Sequence, residues 1–418
     1  MKLKQNNVIF GILLLIYCTN RFWGVNLPWY INPIIAVIGI VLLFARDKFK
    51  ITVYKHIHQT VMLSIIPQLA IIVYSISLWL MQGMPSPSIV RNLFTSNLWI
   101  ILSVLFSATV FIIFQKKSID FFLKCATLSY LIGSVLYIII RFGVIDSLKY
   151  LLTSVTSQTQ MIYGMEVNDL TFSVGYLFLY YLMFSNEDKK KKRIKCLTCF
   201  LLIFWGLKRI EIAAIIVCYS FYLFLLRKKY TSKLKGIVTI GILGVSYFYL
   251  WIIHSGVITN LAKEYNINFM GRLGTYSYIA DTYSSFDPLF WGHGAGYIDE
   301  IINELSISGF KIGYAPIISL HSDTLRMYIG LGFFGFGIWI IYHLFIRSSI
   351  MKKWFSERSI NAYLIYSLYT FILYLTDNTY SYSVTRFVFT LVILCSYESK
   401  YDYIKCQNES LQRGERNI

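Results

Sequence analysis

The chain has 418 residues, 56% of them hydrophobic and only 14% charged, so it carries more apolar surface than one water-soluble core can hide. Its formal net charge of +18 would suggest nucleic acid in a soluble protein, but the basic residues fall in short clusters between apolar runs and leave no folded basic domain. A soluble nucleic-acid binder is excluded, and the bilayer remains as the solvent.

A spanning helix needs roughly 20 mostly apolar residues, because a helix satisfies its own backbone groups where water cannot. In chain order, the apolar runs predict twelve spans, the first five at 7–23, 29–45, 61–80, 97–115 and 121–141. Four more follow at 168–185, 194–207, 209–226 and 236–254, and the last three at 324–346, 360–376 and 383–397. The reading is all-α: a polytopic transmembrane bundle of about twelve spans, forming a single integral membrane domain over 1–418. Lys2, Lys4 and the apolar run 8–17 have the outline of a signal peptide. No small-residue cleavage site follows, which predicts an uncleaved first span.

The breaks between runs alternate in character. Basic clusters recur at every second one: Lys2 and Lys4, then Arg46 to Lys55, Lys116 with Lys117, 189–195, 227–235, 347–358 and the tail. They share one side if both termini are cytoplasmic, as the positive-inside rule predicts. On that arrangement the clusters account for the whole net charge, and everything else sums to zero. The seven cysteines are scattered, and none falls in the long outer loop, which excludes a disulfide framework there. Cys196-x-x-Cys199 lacks a second pair and reads as packing; no metal constellation is visible.

Two outer breaks exceed the usual connection: about 26 residues at 142–167 and about 70 at 255–323. The longer is rich in aromatics, among them Tyr265, Phe269, Tyr276, Tyr283, Phe290 and Trp291. Disordered segments are poor in such residues, so a partly helical cap over the outer mouth of the bundle is expected, compatible with an aromatic belt resting on headgroups. The 33 tyrosines fit interfacial anchoring.

Three short stretches carry candidate chemistry. Lys208 and Arg209 open a span on the outer side, against the charge bias; Glu211 or the interface could neutralise them, or they could clamp a phosphate. Gly271-Arg272-Leu273-Gly274-Thr275-Tyr276 puts another cation, Arg272, near the start of the long loop. Leu320-His321-Ser322-Asp323-Thr324-Leu325-Arg326 precedes a Gly-rich span. There His321 could take a proton from a hydroxyl, and Asp323 could orient it or cap the helix, the cap being favoured. The glycines after it would let neighbouring helices approach. Trp291-Gly292-His293-Gly294-Ala295-Gly296 has no preceding strand and reads as a tight turn rather than a nucleotide loop.

In this order, Lys208-Arg209, Gly271-Arg272, the stretch Pro288-Leu289-Phe290-Trp291-Gly292-His293-Gly294 and His321-Ser322-Asp323 resemble the Wzy-type O-antigen polymerase and O-antigen ligase superfamily over roughly 200–345. Two departures stand out: Ser322 replaces the Asn that follows the His in many relatives, and the repeated Arg-x10-Gly pattern is absent from both outer loops. The resemblance implies a glycosyltransferase of the bacterial inner membrane acting on undecaprenyl-diphosphate-linked glycan. It implies His321 as the base activating the acceptor hydroxyl, Arg272 and Arg209 as diphosphate binders with Lys208 assisting, and Tyr276, Asp323 and Arg326 as neighbours in the substrate-binding set. It also implies a chain-length regulator and a flippase as partners. The donor is already activated, so no cofactor is expected. Polymerase, ligase and transporter remain the readings in play. The near absence of charge inside the predicted spans weighs against a transporter.

Overall fold

The computed structural model describes residues 2–19, 21–22, 25–28, 30–46, 54–146, 149, 168–206, 208–223, 231–257, 260, 264, 272–312, 315–316 and 319–398. Most of the outer segment 142–167, together with Tyr265, Phe269, Gly271 and the tail from 399, lies outside these residues.

A helix lies at each of the predicted apolar runs. The first half gives α1 (Lys2–Cys18), α2 (Ile31–Arg46), α3 (Lys55–Gln82), α4 (Pro87–Phe114) and α5 (Ser118–Tyr130), which passes through a π turn into α6 (Leu136–Phe142). Then come α7 (Asn168–Leu179), α8 (Lys189–Gly206), α9 (Arg209–Phe221) and α10 (Thr231–His254). The long loop contributes α11 (Arg272–Tyr283) and α12 (Tyr297–Ile307). The last quarter holds α13 (Asp323–Ile341), a π turn into α14 (Arg347–Met351), α15 (Glu357–Thr376) and α16 (Ser383–Cys395). Among the described residues, five helical segments are long and apolar enough to cross a membrane: Lys55–Gln82, Pro87–Arg141, Lys235–His254, Asp323–Met351 and Glu357–Thr376. The apolar helices Val8–Cys18, Ile31–Arg46, Asp169–Phe184 and Ser383–Cys395 are shorter. Pro87–Arg141 is not one rod: Gln115 has φ 52°, a left-handed conformation that turns the chain between α4 and α5.

Side-chain contacts sort the charge along the bundle. At one end Arg358 donates to the Phe184 carbonyl at 2.7 Å and to Glu398 Oε1 at 3.0 Å. Lys195 pairs there with Asp120 at 2.6 Å and with Glu187, and Ser118 meets Cys395 at 3.2 Å. At the other end Tyr17 donates to Ser103 Oγ at 3.0 Å and to the Ser383 carbonyl at 3.1 Å, and Asp169 accepts from Val384 N at 2.8 Å. The clusters around Lys116, 189–195 and Arg358 therefore share one end, as their alternation in sequence requires.

Two expectations change. Tyrosines are interior glue as well as interfacial anchors: Tyr176, Tyr363, Tyr366 and Tyr369 are fully buried. Tyr176 meets Thr370 Oγ1 at 2.7 Å and Tyr369 donates to the Phe172 carbonyl at 3.0 Å, because a hydroxyl inside a bundle needs an interhelical partner. Nor is 291–296 only a tight turn: a turn at Ala295–Gly296 follows an extended stretch. Helix α13 opens at Gly332, where φ 70° and ψ −177° leave the helical region. The loop fills the gap with Phe333 N to Phe290 O at 2.7 Å, His293 N to Ile329 O at 3.0 Å and Gly294 N to Gly330 O at 2.9 Å. Only glycine fits: a Cβ on Gly332 would lie 2.2 Å from the Trp291 carbonyl carbon. Helix α3 seals the seam, with Tyr74 Oη donating to the Trp291 carbonyl at 2.9 Å and Trp79 Nε1 to the His293 carbonyl at 2.8 Å. Of the glycines expected to admit neighbouring helices, Gly335 and Gly337 do so, receiving Tyr74 and Tyr247, whereas Gly330 and Gly332 receive the loop.

Candidate functional site

The end of the bundle opposite the basic clusters is built around the start of α13. Ser322, not Asp323, caps that helix: its Oγ accepts from Leu325 N at 3.2 Å. Asp323 does not orient His321 either. It is fully buried, with Oδ2 accepting from Tyr380 N at 2.6 Å and Oδ1 3.4 Å from Arg326 Nη1. Arg326 also lies 3.2 Å from Asp299 Oδ1 on α12, so one guanidinium bridges the loop cap and the helix start. The turn 377–382 closes the set from the final hairpin. Asp377 O accepts from Asp323 N at 3.1 Å, and Tyr380 Oη donates to Gln68 Oε1 at 2.7 Å. The guanidinium of Arg386 lies 4.2 Å over the Tyr380 ring, while its Nε donates to the Tyr380 carbonyl at 2.9 Å. The fully buried Asp323 thus has a cation and a backbone amide as partners, as buried charge requires.

His321 sits immediately before this set. Its Nε2 is 2.8 Å from Ser319 Oγ, and its carbonyl accepts from the hydroxyl of Tyr276 on α11. A loop helix therefore fixes the backbone that carries the imidazole, and a serine hydroxyl rests against its ring nitrogen.

A cavity of about 160 Å³ adjoins Arg326 and Asp299, with Asn97, Ser96, Tyr380 and Ser381 as its other polar lining and Ile71, Leu93 and Met327 on its apolar side. Asn97 donates to the Leu93 carbonyl at 2.7 Å, while its buried Oδ1 has no partner. The cavity therefore combines an unused acceptor, a carboxylate and a guanidinium with an apolar wall, the mixture that binds a polar ring with one hydrophobic face.

No protein-family model matches the chain, and no curated protein matches it. Function must be argued from this chemistry alone.

Of the residues expected from sequence, the structure gathers His321, Tyr276, Asp323 and Arg326. Lys208 joins them at one remove: its Nζ lies 5.8 Å over the Phe172 ring, which stacks on Tyr382 at 6.3 Å, and Tyr382 donates to Asn378 Oδ1 at 2.8 Å in the 377–382 turn. Arg209 is exposed at the first turn of α9. Glu211 turns inward, its Oε1 3.4 Å from Tyr369 Oη. Arg272 opens α11, and its side chain lies outside the described residues. Among the described residues no group of three or more His, Cys, Asp or Glu could hold a metal.

Asp299, Asp377, Tyr380 and Arg386 escaped sequence reading. Arg386 carried the clearest signal, a single cation inside an apolar run. It also corrects the expectation of nearly charge-free spans, as does the buried Glu211.

Beside the seam, burial holds the imidazole of His293 below its ordinary range. Its ring stacks on Tyr297 at 4.4 Å, with Nε2 3.1 Å from the Tyr283 carbonyl.

Proposed function

We propose that the chain is a membrane glycosyltransferase that joins undecaprenyl-diphosphate-linked repeat units into O-antigen, capsular or exopolysaccharide chains. The observation that carries this reading is the position of His321, held by Tyr276 and Ser319, two residues before Asp323, whose ion-pair partner Arg326 lines a cavity with Asp299, at the end of the bundle away from the basic clusters. Under the positive-inside rule that end faces outward, where the diphosphate of a lipid-linked donor leaves the hydrocarbon. Twelve passes, cytoplasmic termini and residence in a bacterial inner membrane belong to the same reading, as do a chain-length regulator and a flippase as partners.

In this mechanism the acceptor hydroxyl replaces Ser319 against His321 Nε2, and the imidazole takes its proton as the glycosidic bond forms. Charge develops on the departing polyprenyl diphosphate, and cations at that depth stabilise it. Arg272, Arg209 and Lys208 are assigned that role. Arg326, its fork already facing two acids, positions the floor of the site. A ligase moving finished glycan onto lipid A core would use the same donor. A deletion strain separates the two: a single repeat still attached means polymerase, and total loss of attached glycan means ligase.

A carrier is the second reading, favoured by Glu211, Arg347 and Arg386, ionisable residues buried within helices. The deciding experiment is His321→Ala, scored by glycan profile with the protein quantified in the membrane. Loss of the base should lower chain extension by about 10²–10⁴-fold, and normal ladders would remove both His321 and the transferase reading.

A further inference from the structure

Arg347, at the junction of the π turn and α14, is 1% exposed. Its Nη2 donates to Ser64 Oγ at 2.7 Å, and its guanidinium lies 5.0 Å over the Tyr363 ring and 5.8 Å from that of Phe389. The Nε donor is buried with no hydrogen-bond partner, and no carboxylate within ion-pair distance of it occurs among the described residues. One turn earlier on the same helical face, His343 Nε2 is likewise buried and without a partner. The Tyr363 hydroxyl donates to the His343 carbonyl, and its oxygen faces the Arg347 guanidinium, leaving the Nε donor still unmatched.

Aromatic faces and the Ser64 and Tyr363 hydroxyls compensate a guanidinium only in part, because such contacts are weaker than the cost of burying an unpaired charge. Unpaired buried donors in native proteins are met by water or by an ion. We infer that Arg347 and His343 hold a small monovalent inorganic anion, chloride or one of its size, between Nε and Nε2. One full positive charge and one neutral N–H donor neutralise a monovalent anion, whereas a divalent one would keep surplus charge in the interior. Full burial of Arg347 excludes a lipid headgroup. The same end of the bundle exposes Lys352 and Lys353 and carries Lys235, whose Nζ is 2.7 Å from Ser349 Oγ, so its potential draws anions in from solvent.

The test uses the full chain purified in detergent, with its thermal midpoint measured in sodium chloride and in sodium gluconate at equal ionic strength. Chloride should raise the midpoint by on the order of a few °C, saturating with concentration as single-site binding requires. Arg347→Met should unfold cooperatively and lose that rise. Equal midpoints of the parent protein in the two salts, or an unchanged chloride response in Arg347→Met, would overturn the site. If that variant is not recovered, equilibrium binding of radioactive chloride to the parent protein decides: about one saturable ion per chain supports the site, and none refutes it.

Discussion

Arg326 and Arg347 lie on one helical segment, separated by roughly 30 Å of helix at 1.5 Å per residue, and their surroundings differ in kind. Arg326 is bracketed by Asp299 and Asp323, whereas Arg347 has the Ser64 and Tyr363 hydroxyls and two aromatic rings. A guanidinium with acids in place is complete and can serve as rigid flooring. One without them keeps its charge for a partner from outside the chain. The two ends are thus built for different tasks, and hydropathy, which scores both as interrupted apolar runs, cannot distinguish them.

Replacing Arg326 by Met puts the contrast under the greatest strain, since it strands the fully buried Asp323. A cost of about 3–5 kcal/mol is expected, seen as loss of folded protein or a lowered thermal midpoint, and adding Asp323→Asn should recover part of it. A single variant as stable as the parent would break the comparison. Gly332→Ala asks whether the broken helix between the two ends matters. The Cβ clash with the Trp291 backbone and the positive φ together should cost about 2–4 kcal/mol, measurable by thermal unfolding. Arg347→Met sharpens the comparison from the other side: in chloride-free buffer its stability should lie within about 1 kcal/mol of the parent or above it, because a well-packed apolar side chain replaces an uncompensated charge.

The smallest effect concerns pH. The lowered folded-state value at His293 means that the unfolded segment takes up the proton first. Its contribution is complete above about 6.5 and is lost as the pH falls below that toward the folded value. The ring is only partly buried, so solvent screening limits the effect to a fraction of a kcal/mol. Amide exchange over 290–295 should be unchanged between pH 7 and 8, after correction for intrinsic rates, and should accelerate below 6.5. A flat profile there would remove His293 from the seam's energetics.

The helices were legible in the sequence because bilayer physics writes them as long apolar runs with polar breaks, and α3, α10 and α15 lie where those runs predict. His321, Asp323 and Arg326 were legible because they stand together just before a span. The cap's mode of attachment was not, since backbone pairing between 290–295 and an opened helix leaves no periodic trace. The glycine spacing at Gly292, Gly294 and Gly296 hinted at a special backbone without naming its partner. Asp377 and Tyr380 went unread for another reason: six residues between two apolar runs look like punctuation, and only their packing against α13 gives them a role. The assignment of the cap to Asp323 rather than Ser322 failed because both are good capping residues one position apart, and Asp323 is instead engaged by Tyr380 N and Arg326.

The opened helix at Gly332 has a consequence for engineering. Because the Phe290 carbonyl completes a backbone ladder inside an apolar bundle, the cap is stitched into the scaffold by main-chain bonds that any side-chain sequence could supply, given the glycines. Residues on the cap's free surface can drift while the stitch holds. A chimera that exchanges the cap should therefore carry 290–295 and 329–333 together, since either piece alone leaves the amide and carbonyl groups of the seam without their partners.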